Sequence, residues 1–126
     1  MELNTFFKSF IESEEEPMFI CNLDYRIIYL NPAAAKRYKN IGGYDMIGKP
    51  LNSFISFEAQ TKLDAVVEWF KESEGNNFVF VRHEDKDDSN HDLYVCALRD
   101  DNKNLIGFCN RRRSRIIDTN EPYSIF

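Results

Sequence analysis

Residues 19–49 read FICNLDYRIIYLNPAAAKRYKNIGGYDMIGK, and this stretch decides the fold. Pro17 to Asn22 reads as a strand, Leu23-Asp24-Tyr25 as a tight turn, and Arg26 to Leu30 as a second strand. Together they suggest a β-hairpin, although the turn lacks the usual glycine. Asn31-Pro32 is a sharp helix start. An Asn side chain accepts from first-turn amides, and Pro at the first helical position gives up an amide that has no intrahelical partner. Ala33, Ala34 and Ala35 carry the helix towards Tyr38, and Gly42-Gly43 stops it.

Upstream, Leu3, Phe6, Phe7, Phe10 and Ile11 recur at i, i+3, i+4, i+7 and i+8, one face of an amphipathic helix. Glu14-Glu15-Glu16 follows, and Pro17 disfavours helix at the residue before it. The apolar stripe needs cover, either from its own domain or from the same stripe on a second chain. Downstream, Tyr44 to Ile55 reads as short helical turns punctuated by Gly48 and Pro50. Ser56 caps a longer helix running to about Glu74, with Ala59, Leu63, Val66, Val67 and Phe70 on one apolar face. Gly75 is placed to terminate it.

Three strand signals close the chain: Asn77 to His83, His91 to Arg99 after the polar segment Glu84 to Asn90, and Leu105 to about Arg113 after the turn Asp101 to Asn104. This order is α+β, and its simplest packing is a five-stranded antiparallel sheet with helices on one face. The other face would be partly apolar, and the N-terminal helix is the obvious cover. The expected organisation is a cap or dimerisation helix over 1–16, a core over 17–117 and a tail over 118–126.

The 126 residues fit one domain, which buries roughly two-thirds of its unfolded surface and needs no staples. Eleven Phe and six Tyr imply a bulky core or a pocket lined with rings. A net charge of −5 argues against a generic nucleic-acid binder. Cys21, Cys96 and Cys109 are widely spaced, make no CxxC pair, and sit in apolar strand-like runs, as buried reduced thiols do. Met1-Glu2-Leu3-Asn4 lacks the features of a signal peptide, and no apolar run approaches the roughly 18 residues of a membrane span. The expectation is a cytoplasmic protein that does not itself enter a membrane.

With these elements in place, the sequence resembles the PAS family. The match is strongest from Phe19 to Lys49: an aliphatic strand, the Asp24 turn, Ile27 followed by Asn31, Ala33 and Ala34, and then Ile47-Gly48-Lys49. Leu98-Arg99-Asp100 to Leu105-Ile106-Gly107 fits the last hairpin of such a sheet, so the likeness covers about residues 17–115. Tyr38 through Lys49 and Val66 to Lys71 are similar to small stand-alone bacterial PAS proteins. The resemblance implies a PAS fold acting in bacterial signal transduction, a sensor of an unidentified small molecule, a binder of a signalling protein, or both. The alternative is a ligand-free dimerisation or scaffold module. Some relatives carry Cys-His before the long helix; Ile55 and Ser56 stand there, so any metal or redox role of that pair is absent.

The chemical candidates are sparse. No flavin-adduct cysteine pattern occurs. A haem needs an axial ligand, and His83 and His91 fall at the ends of a hairpin, where exposed loop histidines are expected. His83, Glu84, Asp85, Asp87, Asp88, His91 and Asp92 make a dense set of N/O donors whose spacing matches no established metal loop. A solvated strand connection is the simpler reading, so the cofactor stays unknown and no metal site is assigned. Arg111, Arg112, Arg113 and Arg115 form a basic strand end that strand alternation would split between two faces. No GxSxG, Walker or HExxH motif is present, and the chain is read as a non-enzyme.

The expected cavity lies between sheet and helices. Its candidate lining is Ile28, Tyr38, Ile47, Leu51, Phe54, Leu63, Val67, Phe80, Tyr94, Cys96 and Phe108. An ordinary packed core of the same residues is the competing reading. The expected homodimer would use Leu3, Phe6, Phe7, Phe10 and Ile11.

Overall fold

Asn31 is the joint of the fold. It is fully buried. Its side-chain oxygen accepts from the amide of Ala34 at 2.9 Å, capping helix α2 (Pro32–Arg37), and from the amide of Met18 at 2.9 Å. Its amide nitrogen donates to the carbonyls of Glu16 at 2.8 Å and Glu14 at 3.3 Å. All its polar valences are used, so one side chain starts a helix and ties down the segment entering the first strand. The structure, a computed structural model, describes residues 3–86 and 89–125, the side chain of Leu3 excepted.

Strands β1 (Phe19–Asn22) and β2 (Ile27–Leu30) form the expected hairpin. Tyr25, at φ 60°, takes the left-handed turn position that a glycine would have filled. After α2 come three short 3₁₀ turns, then α3 (Phe57–Glu72), with Ser56 Oγ accepting from the Ala59 amide at 3.1 Å. Strands β3 (Phe78–Lys86), β4 (Ser89–Arg99) and β5 (Leu105–Ser114) complete an antiparallel sheet of order β2-β1-β5-β4-β3.

One face of the sheet packs on the helices. Phe19, Cys21, Val79, Val95, Ala97 and Phe108 point there, against Ala34, Met46, Leu51, Val67 and Phe70. Cross-strand register aligns Cys21, Phe108 and Ala97 in one row. Gly107 lets β1 approach β5: a Cβ there would stand 2.2 Å from the carbonyl oxygen of Cys21. The opposite face carries Ile20, Cys109, Cys96 and Phe78 in one row and Phe80, Tyr94 and Arg111 in the next.

Several expectations change. Glu84 to Lys86 and Ser89 to Asn90 belong to strands: β3 and β4 stay paired out to Lys86 and Ser89, where opposed charges and hydrogen bonds support a two-stranded ladder. Gly42 (φ 138°) and Gly43 (φ 55°) do not stop α2, which ends at Arg37; they shape the 3₁₀ turns that follow. Helix α3 ends at Glu72 rather than at Gly75. Helix α1 (Leu3–Glu12) does not close the opposite sheet face within its own chain. Phe6, Phe7 and Phe10 stay exposed, and so do Phe78, Phe80 and Ile106.

Candidate functional site

Helix α3 crosses the sheet as a beam of 16 residues, about 24 Å long, and two polar ties fix it. At mid-helix the Tyr25 hydroxyl donates to the Asp64 carboxylate, while the Tyr25 ring stands edge-on to Phe108 at 5.4 Å. Burial first, and then Asp64, push the Tyr25 hydroxyl pKa up, so it remains a donor. At the C-terminal end, Arg99 Nη2 donates to the carbonyls of Phe70 at 2.7 Å, Ser73 at 3.1 Å and Asn76 at 3.1 Å. Its Nε bonds Asn77 at 2.8 Å and its Nη1 bonds the Lys103 carbonyl at 3.0 Å. A guanidinium against the unpaired carbonyls of a helix end also meets the negative pole of the helix dipole.

Both ties lie beyond the first two turns of α3, and the sheet falls away from those turns. A cavity of about 610 Å³ opens there. Its roof is Ala59, Leu63 and Val66 of α3 with Leu51 and Ile55 before it. Its floor is Phe19, Val81, Val95 and residues 108–110. Ser56, Glu58, Lys62 and Arg82 stand around it, and their charges pair as Lys62–Glu58 at 3.2 Å and Arg82 with Glu84 at 3.2 Å. Asn110, also lining it, is already committed, accepting from the Phe19 amide at 2.9 Å and donating to the Pro17 carbonyl at 3.1 Å. The volume lies in the usual range of small-molecule sites and the walls are chiefly aliphatic.

Of the eleven residues expected to line this space, Leu51, Leu63 and Phe108 do so. Tyr38, Phe54 and Val67 pack in the core beside it. Ile28 and Ile47 are corrections: both are exposed, Ile28 in the irregular register between β1 and β2 and Ile47 in the loop between 3₁₀ turns. Phe80, Tyr94 and Cys96 are also corrections, since they point to the opposite face, one residue out of phase with Val79, Val81 and Val95. The floor residues Val81 and Val95 were therefore missed. Phe108 held the missing signal: with Phe108 inward, its partner Ala97 is inward, and alternation then carries Val95 inward as well. Among the dimer candidates, Phe6, Phe7 and Phe10 are exposed and Ile11 is half-buried; the side chain of Leu3 lies outside the described residues.

The polar strand ends pair among themselves. His83 and Asp92 oppose each other at 3.1 Å, and Arg115 clasps the same Asp92 at 2.8 Å. Glu84 opposes His91 in register and receives Arg112 at 3.1 Å. His83 is exposed as expected, but neither histidine lies in a loop and His91 is buried. Both lie on strands, and His91 is 9% exposed, held between Glu16 at 2.7 Å and Ser89 at 2.6 Å. The N/O donors considered for a metal are thus divided between two faces; Asp87 and Asp88 lie outside the described residues. The arginines divide likewise: Arg112 is tucked against Glu84 and the Pro17 carbonyl, while Arg113 lies over the Tyr94 ring at 5.0 Å.

Compared with known proteins, residues 15–111 match the family model for the PAS domain. The chain belongs to the PAS family. Solved structures agree in fold. A PAS domain from Colwellia psychrerythraea is 14% identical, with a TM-score of 0.60 over 90% of this chain and 97% of that one. A sensory box sensor histidine kinase from Vibrio cholerae is 16% identical, with a TM-score of 0.54 over 90% and 93%. The Aer2 receptor of Vibrio cholerae, described as a dual PAS-heme oxygen sensor, is 14% identical, with a TM-score of 0.51 over 79% and 94%. No curated protein matches the chain. Among the described residues of this PAS domain, no helix is long and apolar enough to cross a membrane.

Proposed function

We propose that this PAS domain is a signal-sensing module, not a catalyst, whose stimulus is a small molecule with an apolar body held beneath the first turns of α3. The cavity of about 610 Å³ under that half of the helix carries the reading. An occupant would stabilise one packing of α3 on the sheet, and a signalling partner would read the shift in population. The kinship to a sensor histidine kinase and an oxygen sensor supports a signalling role.

The test uses the full chain. 8-Anilinonaphthalene-1-sulfonate, an apolar probe with one anionic group, is expected to bind saturably with one site per chain. Val95→Phe, which fills the floor, is expected to abolish that binding without lowering the melting temperature. Undiminished binding by a folded Val95→Phe protein would sink the cavity reading. Native mass spectrometry of freshly purified protein then shows whether a natural occupant copurifies.

A homodimer belongs to the same proposal. Exposed Phe6, Phe7 and Phe10 precede Glu12, Glu14, Glu15 and Glu16 in the chain. The open sheet face offers Phe78, Phe80 and Ile106 beside Arg111 and Arg113, complementary in both apolarity and charge. Phe7→Glu is expected to give a folded monomer by light scattering. A folded dimer in that variant would remove α1 from the interface.

A further inference from the structure

Cys96 of β4 and Cys109 of β5 stand directly opposite each other in the antiparallel register, at the centre of the sheet face turned away from the helices. Their row is completed by Ile20 and Phe78, and Tyr94 faces Arg111 in the next. All three cysteines of the chain are free thiols. The third, Cys21, points into the core opposite Phe108, on the other side of the sheet. We propose that Cys96 and Cys109 are a peroxide-responsive dithiol, closing to a reversible cross-strand disulfide.

Geometry permits the bond. Directly opposed residues of antiparallel strands have Cα atoms about 4.5–5.5 Å apart, within the roughly 4.4–6.8 Å that a disulfide spans. Their Cβ atoms stand about 4.5–5.5 Å apart, whereas a disulfide draws them to roughly 3.5–4.5 Å. Closure therefore draws β4 towards β5 at this row.

The two sulfurs also have different roles. The neighbouring Cys109 thiol, helped by the charges of Arg111 and Arg113, lowers the Cys96 thiol below its ordinary range, against the opposing effect of burial. Cys109, beside Cys96 and buried, is pushed up. Burial pushes Cys21 up to about 12 and leaves it inert. In this proposal Cys96 is the attacking thiolate and Cys109 the resolving thiol, an assignment that the Cys109→Ser variant tests. Both residues are only 3% exposed, which favours a small oxidant over a protein one.

The chemistry balances with hydrogen peroxide. The Cys96 thiolate attacks one peroxide oxygen, the O–O bond breaks, and the departing hydroxide takes up the thiol's proton as water, leaving a sulfenic acid. Cys109 sulfur then attacks Cys96 sulfur, the S–O bond breaks, and the hydroxyl leaves as water with the Cys109 proton. Two thiols are oxidised by two electrons, and one peroxide becomes two waters. A small dithiol reverses the step.

The experiment treats the reduced full chain with stoichiometric hydrogen peroxide and reads the intact mass and the non-reduced peptide map. The expected product is a monomeric chain lighter by about 2 Da, with titratable thiols in denaturant falling from three to one. One peptide linkage should join Cys96 to Cys109, and dithiothreitol should undo it. Cys21→Ser should behave like wild type, and Cys109→Ser should stop at the sulfenic acid or go on to higher oxides. Gain of oxygen on Cys96 of the wild-type chain without the linkage would overturn the proposal. So would a linkage through Cys21, or no reaction at all. The wild-type map decides the matter without any variant having to fold.

Discussion

Replacing Arg99 by Ala should be among the most costly changes in this domain outside the apolar core. The side chain makes five hydrogen bonds, three of them from a single Nη2 to the carbonyls of Phe70, Ser73 and Asn76 where α3 ends. Bonds from a charged group contribute about 1.5–3 kcal/mol each when counted singly. They do not sum here, because the three Nη2 bonds share one donor group and because exposed Ser73 lies where water can replace the lost partner. The loss at the helix pole adds about 0.3–1 kcal/mol. The net expectation is about 2–4 kcal/mol, hence a fall of about 6–20 °C in melting temperature for a domain of this size. Thermal denaturation followed by circular dichroism measures it, and amide hydrogen exchange should show the last turn of α3 losing protection first. Arg99→Lys should recover less than half, since an ammonium cannot reproduce the planar fork. An Arg99→Ala protein melting within about 2 °C of wild type would refute the argument that this residue fastens α3 to the sheet.

Asn31→Ala should cost about 2–4 kcal/mol in urea denaturation, because it removes a helix cap and leaves the half-buried Met18 amide without its side-chain partner. Asn31→Asp should fall between, keeping the bonds to the Met18 and Ala34 amides while losing those to the Glu14 and Glu16 carbonyls; an Ala variant as stable as wild type would refute the role. Glu84 gives a pH signature. Burial pushes its carboxyl up, but Arg112 and then Arg82 outweigh burial and hold it below the ordinary value. A depressed carboxyl stabilises above its unfolded pKa of about 4.5 and loses that contribution as pH falls through the folded value. The gap in melting temperature between wild type and Glu84→Gln should therefore be full at pH 6–7 and close on acidification below about 4.5; a gap unchanged down to pH 3 would exclude the ion pair as its source.

Local signals were legible because each has its cause within a few residues. Asn31-Pro32 and Ser56 cap helices in the structure as their side-chain chemistry predicts. The resemblance through Leu98-Arg99-Asp100 has a physical basis too: Arg99 clasps the end of α3, and Asp100 accepts the amides of Asn102 and Asn104 in the following turn. The cavity was legible only in part. Its α3 wall follows from helical periodicity, but its floor depends on strand parity, which two irregularities disturb, between Phe80 and Arg82 on β3 and between Leu98 and Arg99 on β4. Polar residues misled as well. Glu84 to Asn90 has the composition of a loop, yet Arg112 pairs with Glu84, and Glu16 and Arg115 pair with His91 and Asp92 just beyond it, partners from distant parts of the chain that let the ladder continue.

The parity of β4 was hidden for a reason that bears on function. Leu93 to Leu98 is an unbroken apolar run, LYVCAL, with no alternation to mark an inside and an outside. Such a run belongs to a strand covered on both faces. One cover is in the chain: the helices lie over Val95 and Ala97. On the other face Cys96 is buried among its neighbours, but Phe78, Phe80 and Ile106 each remain about half exposed. An apolar surface that a strand is composed to bury, left open while an equally open apolar helix precedes it in the same chain, is what two copies exchanging α1 would resolve. The proposed dithiol lies at the centre of that face, so closing it would tighten the sheet just where a second copy would bind.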